Sequence, residues 1–536
     1  MTSSAPLPPT GRARSAGPST TAPRTADGST AGSPTAGAGA PRSAAAGSRA
    51  GRRSVTAAVC ACVLVAQSLV AAMNLAIPKI AASALHPTPS QLLWIVDTYV
   101  LVFAGLLIPA GALGDRYGRK GILLTGLGVF GAGALLSALA PGLPILLVAR
   151  AVSGAGAALL VPATMSVLLH ATPPEQKASA VAAWSAALAV GGMAGNAGGA
   201  LILQYLPWQG LFWGYVPLAL VLFGWVARSA PRVPRQTATL DLPGSALLVL
   251  ASAALLFGII EGPALGWASP PVVAAFALAL ALFAGFVRHG LRAAHPVLDP
   301  RLFRLPRLRG GSIGIAVAFF GLFALFYVNA QFLQYVKGYS PLQTGFAIVP
   351  MALGMMAVTR YGMSLARRIG EATTAGVGLA LIAAGLLLLS TADAGTPYAL
   401  YLTFLLVLST GAGLAMPTLS HAVVASVPAH RSGMGSGLQG AARELGASLG
   451  IAVVGTVLSV RFASGTGHGA GTAGAFTDAA AFGYRMAAGV VLVAGAVVMS
   501  ALRAGAHPTG AGPATPPPQP PGARSAASSE AGTRRT

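Results

Sequence analysis

Two acids and one arginine stand where charge is costly. Of the 12 carboxylates in the 536-residue chain, only Asp97 and Glu444 fall in or near long apolar stretches once loops and tails are set aside. Taking a carboxylate out of water penalises its charged form, so such a group can take up and release a proton where a solvated one stays ionised. Both residues are therefore candidate proton carriers. Their structural alternatives are plain: Asp97 as an interfacial residue near the outer start of its helix, and Glu444 as the partner of adjacent Arg443. Arg150, inside "RAVSGAGAALLVPA", needs a reason too, because an ionised arginine at mid-membrane costs at least ~2.5–3.5 kcal/mol unless it snorkels or faces a polar cavity.

Other chemistry finds no carrier in the sequence. No activated nucleophile, metal-ligand cluster or phosphate-cradling loop is recognisable, so neither enzyme, metal nor cofactor is expected. The two cysteines, Cys60 and Cys62, are two apart and point to different helix faces, which argues against a disulfide or a metal site.

The elements that hold these charges are apolar spans. Hydrophobic residues make up 54% of the chain and charged residues 9%, a balance suited to a protein whose solvent is largely lipid. Stretches of about 20 apolar residues are long enough to cross a hydrocarbon core. Fourteen recur here: 55–77, 92–113, 121–140, 143–169, 178–203, 210–227, 243–260, 271–291, 312–336, 344–366, 373–391, 398–418, 435–460 and 483–502. The fold class is thus an all-α polytopic membrane protein. The net charge of +22 comes from residues in short loops and tails, where membrane orientation explains them better than nucleic acid does. Of the 34 Lys and Arg, four (Lys79, Lys337, Arg461, Arg485) fall outside and three (Arg150, Arg360, Arg443) within spans when the N-terminus is placed in the cytoplasm. The rest lie inside, which predicts two cytoplasmic termini.

The predicted organisation has five parts. Residues 1–53 are a basic Ser/Ala/Gly/Pro/Thr tract read as a disordered tail, and 504–536 repeat that composition. Between them lie a six-helix half (54–228), two inserted spans with a basic loop (229–310) and a second six-helix half (311–503). No secretory signal peptide is expected, because the first apolar segment follows the long tail and is itself of spanning length. The halves repeat features in order. "GALGDRYGRK" (Gly111–Lys120) after the second span has a degraded counterpart, "SLARRIG" (Ser364–Gly370), after the tenth, and "TPPEQKASA" has one in "VPAHRSGMG".

"GALGDRYGRK" resembles the signature loop of the major facilitator superfamily. The resemblance implies that Asp115 and Arg119, with Gly111, Arg116 and Gly118 shaping the turn, form a charge relay gating the cytoplasmic ends of the halves. The alternative is that Arg116, Arg119 and Lys120 only enforce orientation. Arg150 is similar to the superfamily's fourth-span arginine, implicated there in proton coupling. Gly191, Gly195 and Gly199 recur every four residues on one helix face, which permits close helix approach; they resemble the fifth-span motif of its antiporters, although Asn196 stands where that motif has proline. "DLPGSALLVLASAALLFGIIEGPALGW", "QFLQYVKGYSPLQTG" and "ARELGASLG" are similar to the fourteen-span drug:proton antiporter family, over about Val55–Arg503. Three departures stand out: Leu69 replaces a first-span acid, Arg367 a second-half loop aspartate, and "WQG" (Trp208–Gly210) a Trp-Arg-Trp.

The resemblance implies proton-driven export of drug-like or antibiotic-like amphiphiles by alternating access across a bacterial cytoplasmic membrane, with the chain working as a monomer. The expected cavity is lined by Gln67, Phe319, Phe326, Tyr327, Asn329, Gln331 and Gln439, aromatic and amide groups suited to loosely defined ligands. Alternatives are dedicated export of one endogenous metabolite, and a membrane sensor or scaffold without transport.

Overall fold

The computed structural model describes residues 41–232, 241–294, 296, 298–427, 432–467 and 471–506. The chain divides into Met1–Arg49 and Ala50–Thr536; the described part of the first is the opening of helix α1, and the second holds everything else. The predicted tails fall outside the described residues over 1–40 and 507–536, while 41–53 belong to α1 and 504–506 to the last helix.

Among the described residues there are no strands, and 14 segments are long and apolar enough to cross a membrane. The first half comprises α1 (Pro41–Ala81), α2 (Pro89–Tyr117), α3 (Arg119–Ala138), α4 (Leu143–Ala171), α5 (Lys177–Tyr205) and α6 (Trp208–Ser229). The inserted pair is α7 (Leu242–Leu265) and α8 (Pro270–Arg292). The second half comprises α9 (Pro306–Tyr335), α10 (Pro341–Ala347), α11 (Val349–Ile369), α12 (Glu371–Leu389), α13 (Tyr398–Ala425), α14 (Ser432–Gly467) and α15 (Thr472–Ala506). The tenth span, expected as one run over 344–366, is broken between α10 and α11 at Ile348. Pro350 cannot donate a backbone hydrogen bond and crowds the preceding turn.

Local signals repeat between the halves. Thr88 and Gln91 form a capping box ahead of α2, with Pro89 as the first helical residue; Ser340, Pro341 and Gln343 do the same for α10. Gly118 (φ 103°) turns α2 into α3 and Gly370 (φ 88°) turns α11 into α12, and both sit in a region that disfavours side chains. The cap and the glycine stand the same distance apart in each half.

Large apolar side chains such as Leu220, Leu280 and Val493 are exposed on α6, α8 and α15, as a lipid-facing surface requires. The halves meet along two seams. At one, antiparallel α2 and α14 run together, with Leu93 against Gly455 and Leu107 against Gly440. Helix α7 covers this seam and packs on both helices. At the other, α5 meets α10, where a Cβ on Gly345 would lie 2.6 Å from the Asn196 carbonyl oxygen. Between α1 and α9, Gln334 Nε2 donates to the Leu75 carbonyl at 3.3 Å.

Candidate functional site: a cavity between the halves and the charges beside it

A cavity of about 1360 Å³ lies between the halves. It draws on α1, α2, α4 and α5 from one side and α9, α11, α13 and α14 from the other. It reaches Arg119, Asp241 and Pro296, so it extends to the helix ends on the Gly118 side, whereas the contacts of Leu93 with Gly455 and of Asn196 with Gly345 close the halves on the opposite side.

Five of the residues expected in a cavity line it: Gln67, Phe319, Phe326, Asn329 and Gln439. Two do not. Tyr327 is buried and faces Gly455 of α14, and Gln331, also buried, donates back to the Tyr327 carbonyl one turn earlier at 2.9 Å. Asn329 Oδ1 accepts a hydrogen bond from the Tyr401 hydroxyl at 2.6 Å, and Gln439 Nε2 donates to the Ser420 carbonyl at 3.0 Å. Gln67 Oε1 and Asn74 Oδ1 are buried and, among the described residues, lack a hydrogen-bond partner. Phe319, Phe323 and Phe326 form a strip along α9, with ring centroids 6.1 and 5.6 Å apart.

Three charged groups are nearly inaccessible: Asp97, Arg150 and Glu444 retain 0%, 1% and 3% of their surface. Asp97 is sealed between α2 and α14, where its Oδ1 accepts from Ser448 Oγ at 3.0 Å; among the described residues its Oδ2 has no partner. Glu444 lines the cavity one helical turn before Ser448 and binds Arg443 at 2.8 Å, and Arg443 in turn lies 5.9 Å from the Phe319 ring centroid. Arg150 does not snorkel. Its Nε donates to the Ile95 carbonyl at 2.9 Å, its Cζ sits 4.7 Å from the Tyr99 ring centroid, and Nη1 has no hydrogen-bond partner among the described residues. Cation–π contact and one hydrogen bond offset only part of the desolvation cost.

In the signature loop, Gly111 lines the cavity and faces Pro162 of α4, and Arg119 also lines it. Arg116 is exposed beside Tyr117. Asp115 belongs to the last turn of α2, and its side chain lies outside the described residues. The glycine face of α5 packs on α1: Gly191 against Leu64 and Gln67, Gly195 against Ser68, and Gly199 against Ala72. It therefore knits the first half together. Among the described residues no cluster of metal-ligating side chains occurs.

Sequence reasoning missed two acids. Glu261, in the last turns of α7, accepts a hydrogen bond from Trp94 Nε1 of α2 at 2.9 Å, while Thr456 of α14 donates to the neighbouring Ile259 carbonyl at 3.3 Å. The inserted helix is thus tied to both halves across their seam. Glu371 follows Gly370 as Arg119 follows Gly118, and it binds Arg307 at 2.5 Å and His421 at 2.7 Å. Since Arg367 stands where Asp115 does, the second-half loop keeps an acid and a base but exchanges their places.

Residues 59–451 match the Major Facilitator Superfamily. The chain is 32% identical to the methylenomycin A resistance protein of Streptomyces coelicolor over 413 residues, 76% of this chain and 87% of that protein. It is 33% identical to the multidrug resistance protein Stp of Mycobacterium tuberculosis over 390 residues, 72% of each chain. In fold it is similar to a bacterial homologue of the human lysosomal transporter Spinster in an inward-facing and unoccupied conformation. That likeness has a TM-score of 0.62 and 17% identity, covering 84% of this chain and 97% of the other.

Proposed function

This chain belongs to the Major Facilitator Superfamily, and on that premise we propose that it exports drug-like or antibiotic-like small molecules across the bacterial cytoplasmic membrane, driven by inward movement of protons. The observation that carries the reading is the cavity itself: about 1360 Å³, shared by both halves, reaching the Gly118 side while the halves touch on the other. A volume of this order accommodates a drug-sized solute. The excess of Lys and Arg on the Gly118 side supports a cytoplasmic placement for that side and for both termini, so the cavity loads from the cytoplasm. Exchange of the closed and open ends around a fixed site then delivers the solute outside.

Proton coupling rests on the buried acids. Asp97 sits in the seam that must open, and Glu444, one turn before the Asp97 partner Ser448 on α14, touches the solute's space. Asp115 and Arg119 latch the halves on the cytoplasmic side, and Arg150 sets the field around α2. The solute is a small amphiphile, and the lipid bilayer and protons complete the partners of a chain that works as a monomer. The relatives' names favour both breadth and dedication: one is a multidrug resistance protein, the other a methylenomycin A resistance protein. A susceptibility panel of drugs and metabolites, run in an efflux-deficient bacterial host expressing this chain, tests the reading. Raised tolerance to several unrelated compounds supports broad export, tolerance to one class supports dedicated export, and no change with normal membrane levels overturns export.

A further inference from the structure

The side chains on the cavity wall have a chemistry of their own. Six of the chain's 12 methionines line it: Met165 on α4, Met193 on α5, Met351, Met355 and Met356 on α11, and Met416 on α13. Thioethers are polarisable, adapt to shape and make favourable contacts at aromatic ring edges. The Phe319–Phe323–Phe326 strip of α9 faces the same space and offers ring surfaces. Such a wall grips flat rings of varied outline.

Arg119 and Asp241 line the cavity at its Gly118 end, and deeper in the Arg443–Glu444 pair leaves little for a charged solute. Glu444 lines the cavity from α14, and Arg443 already holds it at 2.8 Å. The same guanidinium faces the Phe319 ring, which removes that ring as a cation–π site. A cation at this place would meet Arg443, and an anion would meet Glu444. Two polar groups do await a partner. Gln67 and Asn74, seven residues apart on one face of α1, line the cavity, and their buried acceptors Oε1 and Oδ1 have no hydrogen-bond donor among the described residues, so a short turn of either amide presents an unmatched acceptor to a solute. A buried acceptor left unmatched is costly, and a solute hydroxyl or N–H relieves that cost.

We propose that the cavity selects flat, multi-ring aromatic solutes that carry hydroxyl or N–H donors and no net charge. This deepens the export reading above and rests on it only for the cavity's role. The rings lie between the phenylalanine strip and the methionines, and the donors reach Gln67 and Asn74.

The test is equilibrium binding of radiolabelled probes to the purified full chain in lipid nanodiscs. Four probes share one ring system: a bis(hydroxymethyl)anthraquinone, its dimethyl ether, a trimethylammonium derivative and a sulfonate derivative. The diol is expected to bind at least tenfold tighter than each of the other three. Met355→Trp, which adds bulk at a half-buried position on the cavity wall, is expected to abolish diol binding while thermal unfolding stays cooperative. If the trimethylammonium or sulfonate probe comes within tenfold of the diol, the selection against charge is wrong. If the ether does, the donor requirement is wrong. No saturable binding of any probe, or diol binding unaffected by Met355→Trp, overturns the proposal as a whole. Binding is read without transport, so a diol that binds but is not exported counts against the proposed function and leaves this inference standing.

Discussion

Asp97 and Ser448, 351 residues apart in the chain, share a 3.0 Å hydrogen bond in the seam where the two halves meet. Among the described residues it is the one hydrogen bond to the Asp97 carboxyl, since Oδ2 has no partner. Ser448→Ala strips the acid of this bond and leaves a buried group unsatisfied, at a cost of about 1–3 kcal/mol. Thermal unfolding of the purified variant is expected to show that loss, and Ser448→Thr, which keeps the hydroxyl, is expected to recover most of it. Equal stability of the chain and Ser448→Ala would mean that the bond does not hold the seam.

The loop after α2 separates orientation from gating. Asp115→Asn keeps size and removes charge, so insertion and topology are expected to stay normal while export falls to a small fraction. Resistance in an efflux-deficient host, read beside the amount of protein in the membrane, distinguishes the two roles. Undiminished resistance would leave the loop only its orienting part.

Glu261 makes the inserted helices part of the machine rather than an appendage. Its bond from Trp94 fixes α7 to α2, and a carboxylate in a span that loses this donor, the one it has among the described residues, is costly. Trp94→Phe is expected to lower the stability of the purified chain by about 1–3 kcal/mol. Glu261→Gln keeps an acceptor for the indole and should cost much less than Glu261→Ala. If the Gln and Ala variants unfold together, the staple is not what Glu261 provides.

On α5, a Cβ at Gly195 would lie 2.1 Å from the Ser68 carbonyl oxygen, whereas one at Gly198 meets nothing within 4 Å. Gly195→Leu must push α5 off α1, with overpacking of about 1–3 kcal/mol or more. Gly198→Ala on the exposed face is expected to be neutral or to gain up to about 1 kcal/mol of helix propensity. Paired unfolding curves check both, and a neutral Gly195→Leu would show that the α1–α5 contact yields.

Much of the architecture is legible because each span is a long apolar run and the basic residues fall between runs. Failures occur where composition is silent. The run 344–366 passes over Pro350 without a change in polarity, so the break at Ile348 leaves no mark except the proline itself. Glu261 reads as the start of a loop because the apolar run stops at Ile260, yet the helix continues to Leu265 with Trp94 as the acid's partner. Glu371 is hidden by the exchange of acid and base around Gly370, although the repeated Thr/Ser-Pro-x-Gln caps give the register that finds it. Tyr327 and Gln331 have the right chemistry for a cavity but the wrong face of α9, and helical phase against unseen neighbours is not in a single sequence. Ser448 has no signal of its own, because only the approach of α14 to α2 gives it a role.

The claim that protons drive export turns on Asp97 and Glu444 together. One proton moving inward across 100 mV releases about 2.3 kcal/mol, enough for roughly a fiftyfold gradient of an uncharged solute at full coupling. The decisive measurement is solute accumulation in proteoliposomes under an imposed pH gradient, using a compound found by the susceptibility panel. The chain is expected to accumulate it. The Asp97→Asn/Glu444→Gln double variant is expected to equilibrate it down its own gradient and go no further. Accumulation that survives in the double variant, or a chain indifferent to the pH gradient, would contradict the account.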